Sequence, residues 1–267
     1  MIFTEDGPPN AGDPILKKFE DIDSFSPPQI QDNAPLQKVL SAINGLYEKN
    51  QGDAPIIGVV MSPFSLPVMQ MGFEKYLDLM HEQPDKFEKL MKVNELFCVE
   101  WANAQLAAGA TAICYFDPVS SSTIVTPEQY RKYGKMIAKS TIAQIKGPTA
   151  THFASGQCSS IVADVAETGT AIIGISALED PVELKQKSWG KLSLLGNLNG
   201  IAMCRWSVQE AEKEVKDLIR QAAPSGGFIL SDNHGEIPIQ VPEDMLLAIA
   251  ETVHEYGRYP IATGSND

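Results

Sequence analysis

Six short apolar runs narrow what this chain can fold into. They are Ala54–Met61, Thr111–Phe116, Pro148–Phe153, Ala171–Ser176, Leu192–Leu198 and Phe228–Ser231. Each is nearly continuous rather than alternating, as expected for strands of a parallel sheet covered on both faces. Helix-like segments lie between them. Pro84–Ala108 sets Phe87, Leu90, Met91, Leu96 and Val99 near helical spacing, and Pro127–Ile145, Val208–Ala222 and Pro242–Tyr256 follow the same rhythm. Gly109, Gly169 and Gly257 stand where glycines end helices, and Pro127 and Pro242 stand at first helical positions. This alternation predicts an α/β fold with a parallel sheet. Six strand–helix units are recognisable where a (β/α)8 barrel uses eight. The expectation is therefore a TIM (β/α)8-type barrel, incomplete, as one domain over residues 1–267. Residues 1–33, with Pro8, Pro9, Pro14, Pro27 and Pro28, read as an irregular lead-in.

Charge and composition remove several classes of function. Among 267 residues, 34 are acidic and 21 are Lys or Arg, for a formal net charge of −13. Such a chain repels a phosphate backbone, and no basic patch compensates, so no nucleic-acid partner is expected. No apolar run is long enough to span a membrane, and the first residues lack the pattern of a secretory signal. The expected location is cytoplasmic, where Cys98, Cys114, Cys158 and Cys204 stay reduced.

In a parallel barrel the chemistry sits at the carboxyl ends of the strands. The ends of these six runs carry Ser62 and Phe64, then Asp117 and Ser120, then His152 with Cys158 shortly after it. Ser176, Asn197, Asp232 and His234 follow on the later runs. Two of the four histidines thus fall on one predicted face. His152, His234 and Cys158 supply nitrogen and sulfur donors of the kind a catalytic zinc uses with one position left open. Cys158 reads as a helix-start residue, where the helix dipole lowers a thiol pKa. The plainer alternatives stand beside these readings. A strand-end histidine often only walls a pocket, a free cysteine is among the most buried residue types, and Asp117 before Pro118 also suits a turn.

Taken in order, GVVMSPFSLP, AGATAICYFDPVSSSTIVTPEQYRKY, THFASG, ETGTAIIGIS, LLGNLNG and GFILSDNHGEIPIQVPEDMLLAI resemble the uroporphyrinogen decarboxylase superfamily. It comprises the heme-pathway decarboxylases and the zinc methyltransferases acting on methylcorrinoid proteins, including the methylcobamide:coenzyme M methyltransferases. The resemblance runs from about Met1 to Tyr256 and implies that roughly two strand–helix units precede the matching part in the family. Met69 stands where the decarboxylases use tyrosine, and Pro118 where they use serine, so the methyltransferase branch is the nearer. That branch's zinc motif wants cysteine two residues after its histidine, but Ala154 stands there, and His234 stands at its later cysteine. The resemblance implies catalytic roles for Asp117, His152 and His234 and substrate contacts from Ser62, Phe64, Ser120, Ser176, Asn197 and Asp232. It also implies zinc on His152, Cys158 and His234. The expected reaction moves methyl from a methylcorrinoid on a partner corrinoid protein to a small thiol acceptor. The alternatives are a tetrapyrrole decarboxylase, and a non-catalytic binding module or half of a split barrel. The missing units imply a homo-oligomer or a partner chain.

Overall fold

The apolar runs do form the sheet. The structure is a computed structural model that describes residues 12–233, 235 and 237–261. Its strands are β1 (Ile57–Met61), β2 (Ala112–Phe116), β3 (Thr149–His152), β4 (Ile172–Gly174), β5 (Ser193–Leu198) and β6 (Phe228–Asp232). They make one six-stranded sheet in chain order, and every neighbouring pair is parallel. Met61 pairs with Phe116, Phe116 with His152, and Asn197 with Ser231, so the carboxyl ends share one rim.

Helix α1 (Ala34–Asn50) precedes β1, and α2 (Leu66–Met71), α3 (Phe73–Glu82) and α4 (Pro84–Ala107) connect β1 to β2. After β2, α5 (Pro127–Gln129) passes through a π turn at Tyr130–Gly134 into α6 (Lys135–Ile142). Then come α7 (Val162–Val165), α8 (Pro181–Ser188), α9 (Gly200–Met203), α10 (Val208–Ala222) and α11 (Glu243–Tyr256). The best-specified helix is α10. Ser207 and Glu210 cap each other's backbone reciprocally, and Ala211, Val215, Ile219 and Ala222 form its buried stripe. Such a cap contributes about 1 kcal/mol, and burying each of Val215 and Ile219 about 2 kcal/mol.

On the helix-covered face, Val60, Ile113, Tyr115, Ile173 and Leu194 are buried. The concave face is different. Val59 is 53% exposed there, and Ile57 and Ile229 are also exposed. In a closed barrel such side chains fill the interior. The outer edge of β1 is partly satisfied by a side chain. The Gln105 amide of α4 donates to Val59 O at 2.9 Å and accepts from Val59 N at 3.0 Å. Gly58 makes that approach possible, because a Cβ there would stand 2.8 Å from Gln105 Oε1.

Several expectations need correction. The buried stripe of α4 runs through Asn94 and Cys98, and Leu96 faces solvent. Pro242 caps α11 rather than opening it, and Gly257 has φ −86°, not a left-handed value. From residue 12 the lead-in is ordered. It forms 3-10 turns at Phe19–Asp23 and Ile30–Asp32 and buries Leu16 and Ile22. Leu16 N donates to Gln70 O of α2, and Asp23 pairs with Lys86 and Lys89 of α4.

Candidate active site

The strand ends gather most of the expected residues, but at two depths. The lower layer is built on Asp117, which is almost fully buried. Its Oδ1 accepts hydrogen bonds from Ser62 Oγ at 2.5 Å and Ser65 Oγ at 2.6 Å. Ser65 Oγ in turn accepts Val119 N at 3.1 Å, and Ser62 Oγ accepts Ser65 N at 2.9 Å. This network ties the end of β1 to the end of β2. Burial pushes the Asp117 carboxyl above its ordinary range, and the serines oppose that shift only in part. Ser120 also stands close enough to favour the ionised form, although its hydroxyl meets no partner in hydrogen-bonding geometry. Gly134 of the π turn lets α6 come this near, since a Cβ there would stand 2.6 Å from Ser120 Oγ.

Phe64 also lies below the mouth. Its ring is fully buried and meets Tyr76 and Phe87 edge-on at 6.0 and 6.4 Å. Phe64, Ser62 and Ser120, expected to contact substrate, are all buried in this structure. Asp117 holds the loops after β1 and β2 together.

The upper layer contains His152, Asp232 and the loops beyond them. His152 is buried, stacked against Phe116 with centroids 5.9 Å apart. The ring lies over Gly174, where a Cβ would come within 2.5 Å of its Cδ2. Its Nδ1 accepts Ala154 N at 3.0 Å, with Ala154 held at φ 53°. Asp232, half-buried at the end of β6, accepts Gly235 N at 2.9 Å. Ser176 Oγ donates to Ser155 O, and Asn197 Nδ2 donates to Ser176 O and Glu179 O. The expected ligand His234 lies outside the described residues.

Cys158 overturns its expectation. The residue is fully buried and its thiol faces Glu179, with Sγ 3.6 Å from Oε2. Burial first, and Glu179 second, push the thiol far above the ordinary range rather than below it. Beside the burial stands a carboxylate the motif does not announce. Glu179 accepts Cys158 N at 2.8 Å, Ser159 N at 2.6 Å and Ser176 N at 3.2 Å, fastening the ends of β3 and β4 together.

Of the three expected zinc ligands, His152 and Cys158 fall among the described residues and His234 does not. Among the described residues, no three His, Cys, Asp or Glu side chains come together to hold a metal ion. A neutral imidazole has one lone-pair nitrogen, and His152 Nδ1 uses that pair on Ala154 N. Binding a metal through Nε2 requires the opposite tautomer, with Nδ1 donating.

Sequence reasoning missed Ser65, Glu179 and Arg205. Of the loops after the six strands (62–65, 117–126, 153–161, 175–180, 199–207 and 233–241), only 199–207 carries a lysine or arginine, and it is Arg205. That asymmetry is readable from the sequence once the strands are fixed.

Parallel strands in chain order, with polar side chains clustered at their carboxyl ends, define the TIM-barrel class of proteins. The family model for uroporphyrinogen decarboxylase (URO-D) matches residues 1–256. The chain belongs to the URO-D family. It is 25% identical over 221 residues to the methylcobamide:CoM methyltransferase MtaA of Methanosarcina barkeri, covering 82% of this chain and 63% of that protein. This chain therefore spans less than two thirds of that relative's length. It is also 25% identical over 262 residues to the uroporphyrinogen decarboxylase of Actinobacillus pleuropneumoniae serotype 5b (strain L20), covering 94% of this chain and 72% of that protein. A solved structure of a methyltransferase from Methanosarcina mazei shares the fold at TM-score 0.86 and 21% identity, over 97% of this chain and 75% of that one. No described helix is long and apolar enough to cross a membrane.

Proposed function

We infer that this protein is a methyltransferase of the URO-D family, moving methyl from a methylcorrinoid on a partner protein to a small thiol-type acceptor. The observation that carries this reading is the make-up of the strand-end face. The exposed apolar side chains Met69, Ile124, Leu178, Ile201, Ile237 and Ile239 stand on the segments that follow the strands, and Arg205 is the only lysine or arginine in the loops immediately after them. An apolar rim suits the face of a large macrocycle or of the protein that carries one. Charge separates the two macrocycles. Uroporphyrinogen bears a carboxylate on every side chain and needs several cations to hold it, whereas the side chains of a corrin are mostly amides.

When bound, the methylcorrinoid would supply an electrophilic methyl carbon: the acceptor sulfur would bond to it as the cobalt–carbon bond breaks, with that bond's electron pair staying on the corrinoid and the thiol proton passing to solvent. The protein's part is positioning. His152, fixed by Phe116, Gly174 and Ala154 N, gives one rigid wall of the mouth. Asp232 and Asn197 stand at the ends of β6 and β5, and Ser176 just beyond β4. No step is drawn through zinc. Incubation with methylcobalamin and a short thiol should give thiol-dependent loss of the cobalt–carbon absorbance, while uroporphyrinogen stays intact. Stepwise decarboxylation without methyl transfer would reverse this assignment.

The exposed concave face supports a homo-oligomer or a partner chain, because apolar sheet faces are stable only when covered. Light scattering at micromolar concentration should report a species larger than one chain. A well-behaved monomer with one cooperative melt would remove the need for a covering partner.

A further inference from the structure

A cavity of about 410 Å³ opens at the amino ends of β4, β5 and β6, on the rim opposite the candidate active site. That volume lies within the roughly 300–1,000 Å³ usual for small-molecule sites. Its walls are Ala171 before β4, the turn from Lys185 to Ser193 after α8, and Ser225 to Gly227 before β6. The segments 170–172, 184–194 and 224–228 carry three lysines and no acidic residue, in a chain of net charge −13. Lys185 is fixed in the wall, because its Nζ donates to Ala222 O and, at 2.6 Å, to Pro224 O. One N–H of that ammonium is left over. Lys191 has no side-chain partner among the described residues. Trp189 is 58% exposed, with the Lys185 ammonium 5.7 Å from its ring centroid. The rest of the lining is main chain. Ser225, Gly226 and Gly227 have φ 67°, 81° and 72° in succession, a run that is strained at the serine. Packing does not demand it, since a Cβ on Gly226 or Gly227 would meet nothing within 4 Å. The backbone there is open to close approach by a ligand. The N–H groups of Ser225 and Gly227 have no partner among the described residues, and free N–H groups in a turn make a concavity for anions.

We propose that this cavity is a ligand site separate from the reaction, and that its ligand is a planar aromatic ring carrying a phosphate, the chemistry of a mononucleotide. The phosphate is held by Lys191, the remaining N–H of Lys185 and the N–H groups of Ser225 and Gly227, and the ring stacks on Trp189. Charge selects the phosphate. A phosphate monoester carries about −1.5 to −2 at pH 7, which two ammonium groups match, whereas a carboxylate would leave one of them unbalanced. The exposed indole selects the ring, because any aromatic base has a face to stack on it. The proposal does not depend on the methyltransferase reading, since no residue of the candidate active site takes part.

The test titrates the whole chain with adenosine 5′-monophosphate, adenosine and inorganic phosphate, reading tryptophan emission and, in parallel, the heat of binding. The mononucleotide should quench the emission to saturation. Adenosine and inorganic phosphate should each bind at least roughly tenfold more weakly, because each lacks one half of the contacts. Trp189→Phe should remove the quenching while the heat of binding persists, which assigns the signal to that ring rather than to Trp101 or Trp206. Lys191→Ala should weaken the affinity roughly tenfold to a hundredfold, as expected for losing hydrogen bonds between charged groups, and Lys191→Arg should restore most of it. Lys191 is exposed, so its variants should keep the fold, and circular dichroism checks that they do. Three results would each overturn the proposal: no saturable heat or quenching at millimolar mononucleotide, equal affinity in wild type and Lys191→Ala, or inorganic phosphate bound as tightly as the mononucleotide.

Discussion

Replacing Ser65 by alanine should cost this protein more than a small polar substitution usually does. The hydroxyl has two buried duties, donating to Asp117 Oδ1 at 2.6 Å and accepting Val119 N at 3.1 Å. Losing a hydrogen bond to a charged group costs about 1.5–3 kcal/mol, and leaving a buried N–H without a partner costs about 1–3 kcal/mol. The two losses share one relaxed loop, so the total should fall near 3–4 kcal/mol rather than at the upper sum. That is a large part of the roughly 5–15 kcal/mol that holds a domain together. For a chain of this size the melting temperature should drop by about 6–16 °C. Urea unfolding followed by circular dichroism gives the free energy directly, provided the slope against denaturant is unchanged. The decisive comparison repeats Ser65→Ala in an Asp117→Asn background, where the bond is no longer to a charge and the loss should shrink by at least about 1 kcal/mol. A Ser65→Ala cost below about 0.5 kcal/mol, the range of ordinary surface changes, would refute the idea that these loops are fastened through Asp117. Equal costs in both backgrounds would refute it as well.

Two further outcomes follow from the same site. Burial raises the folded-state pKa of Asp117 above 3.8, so the folded protein holds that proton more tightly than the unfolded chain. Its contribution is fully favourable below 3.8 and is lost as pH rises through the folded value. The difference in melting temperature between wild type and Asp117→Asn, taken across that window, should therefore slope downward with pH, and a flat difference curve would count against a buried, unpaired carboxyl. Cys158→Ser should lower stability by about 1–2 kcal/mol through a polar group in an apolar cluster while leaving the zinc content of the purified protein unchanged by elemental analysis. A metal content that falls with the substitution would return Cys158 to the ligands.

Much of the scaffold was legible because its signals are local. A continuous run such as Gly58–Met61 or Ile172–Gly174 has few alternatives to a buried parallel strand. The reciprocal cap of Ser207 and Glu210 marks the start of α10 within four residues of sequence. Helix α1 was not singled out, although Leu36, Leu40, Ile43 and Tyr47 stand at helical spacing and Leu36 and Leu40 pack on the core. The site was legible as positions and not as orientations. His152 and Asp232 close β3 and β6, and Ser176 lies just past β4. The Cys158 thiol was misread because its deep burial, and the second contributor Glu179 that stands 21 residues away, do not show in the local motif. The ring contacts of Phe64 were not legible, because a strand-end aromatic looks alike from sequence whether or not it packs, as here, on Tyr76 and Phe87.

The amide of Gln105 gives the two borders of the sheet unequal chemistry. At β1 the outward N–H and C=O of Val59 already have a partner, so an incoming strand finds that rung occupied. To pair there it must evict a side chain that satisfies both groups, and the net change in hydrogen bonds at that rung is close to nil. Lateral recruitment along β1 is thus an exchange reaction, driven by whatever apolar surface the newcomer covers on the concave face rather than by the rung itself. The same clip that keeps the isolated border from recruiting strands indiscriminately makes it selective for a partner whose shape also fits over Ile57 and Val59.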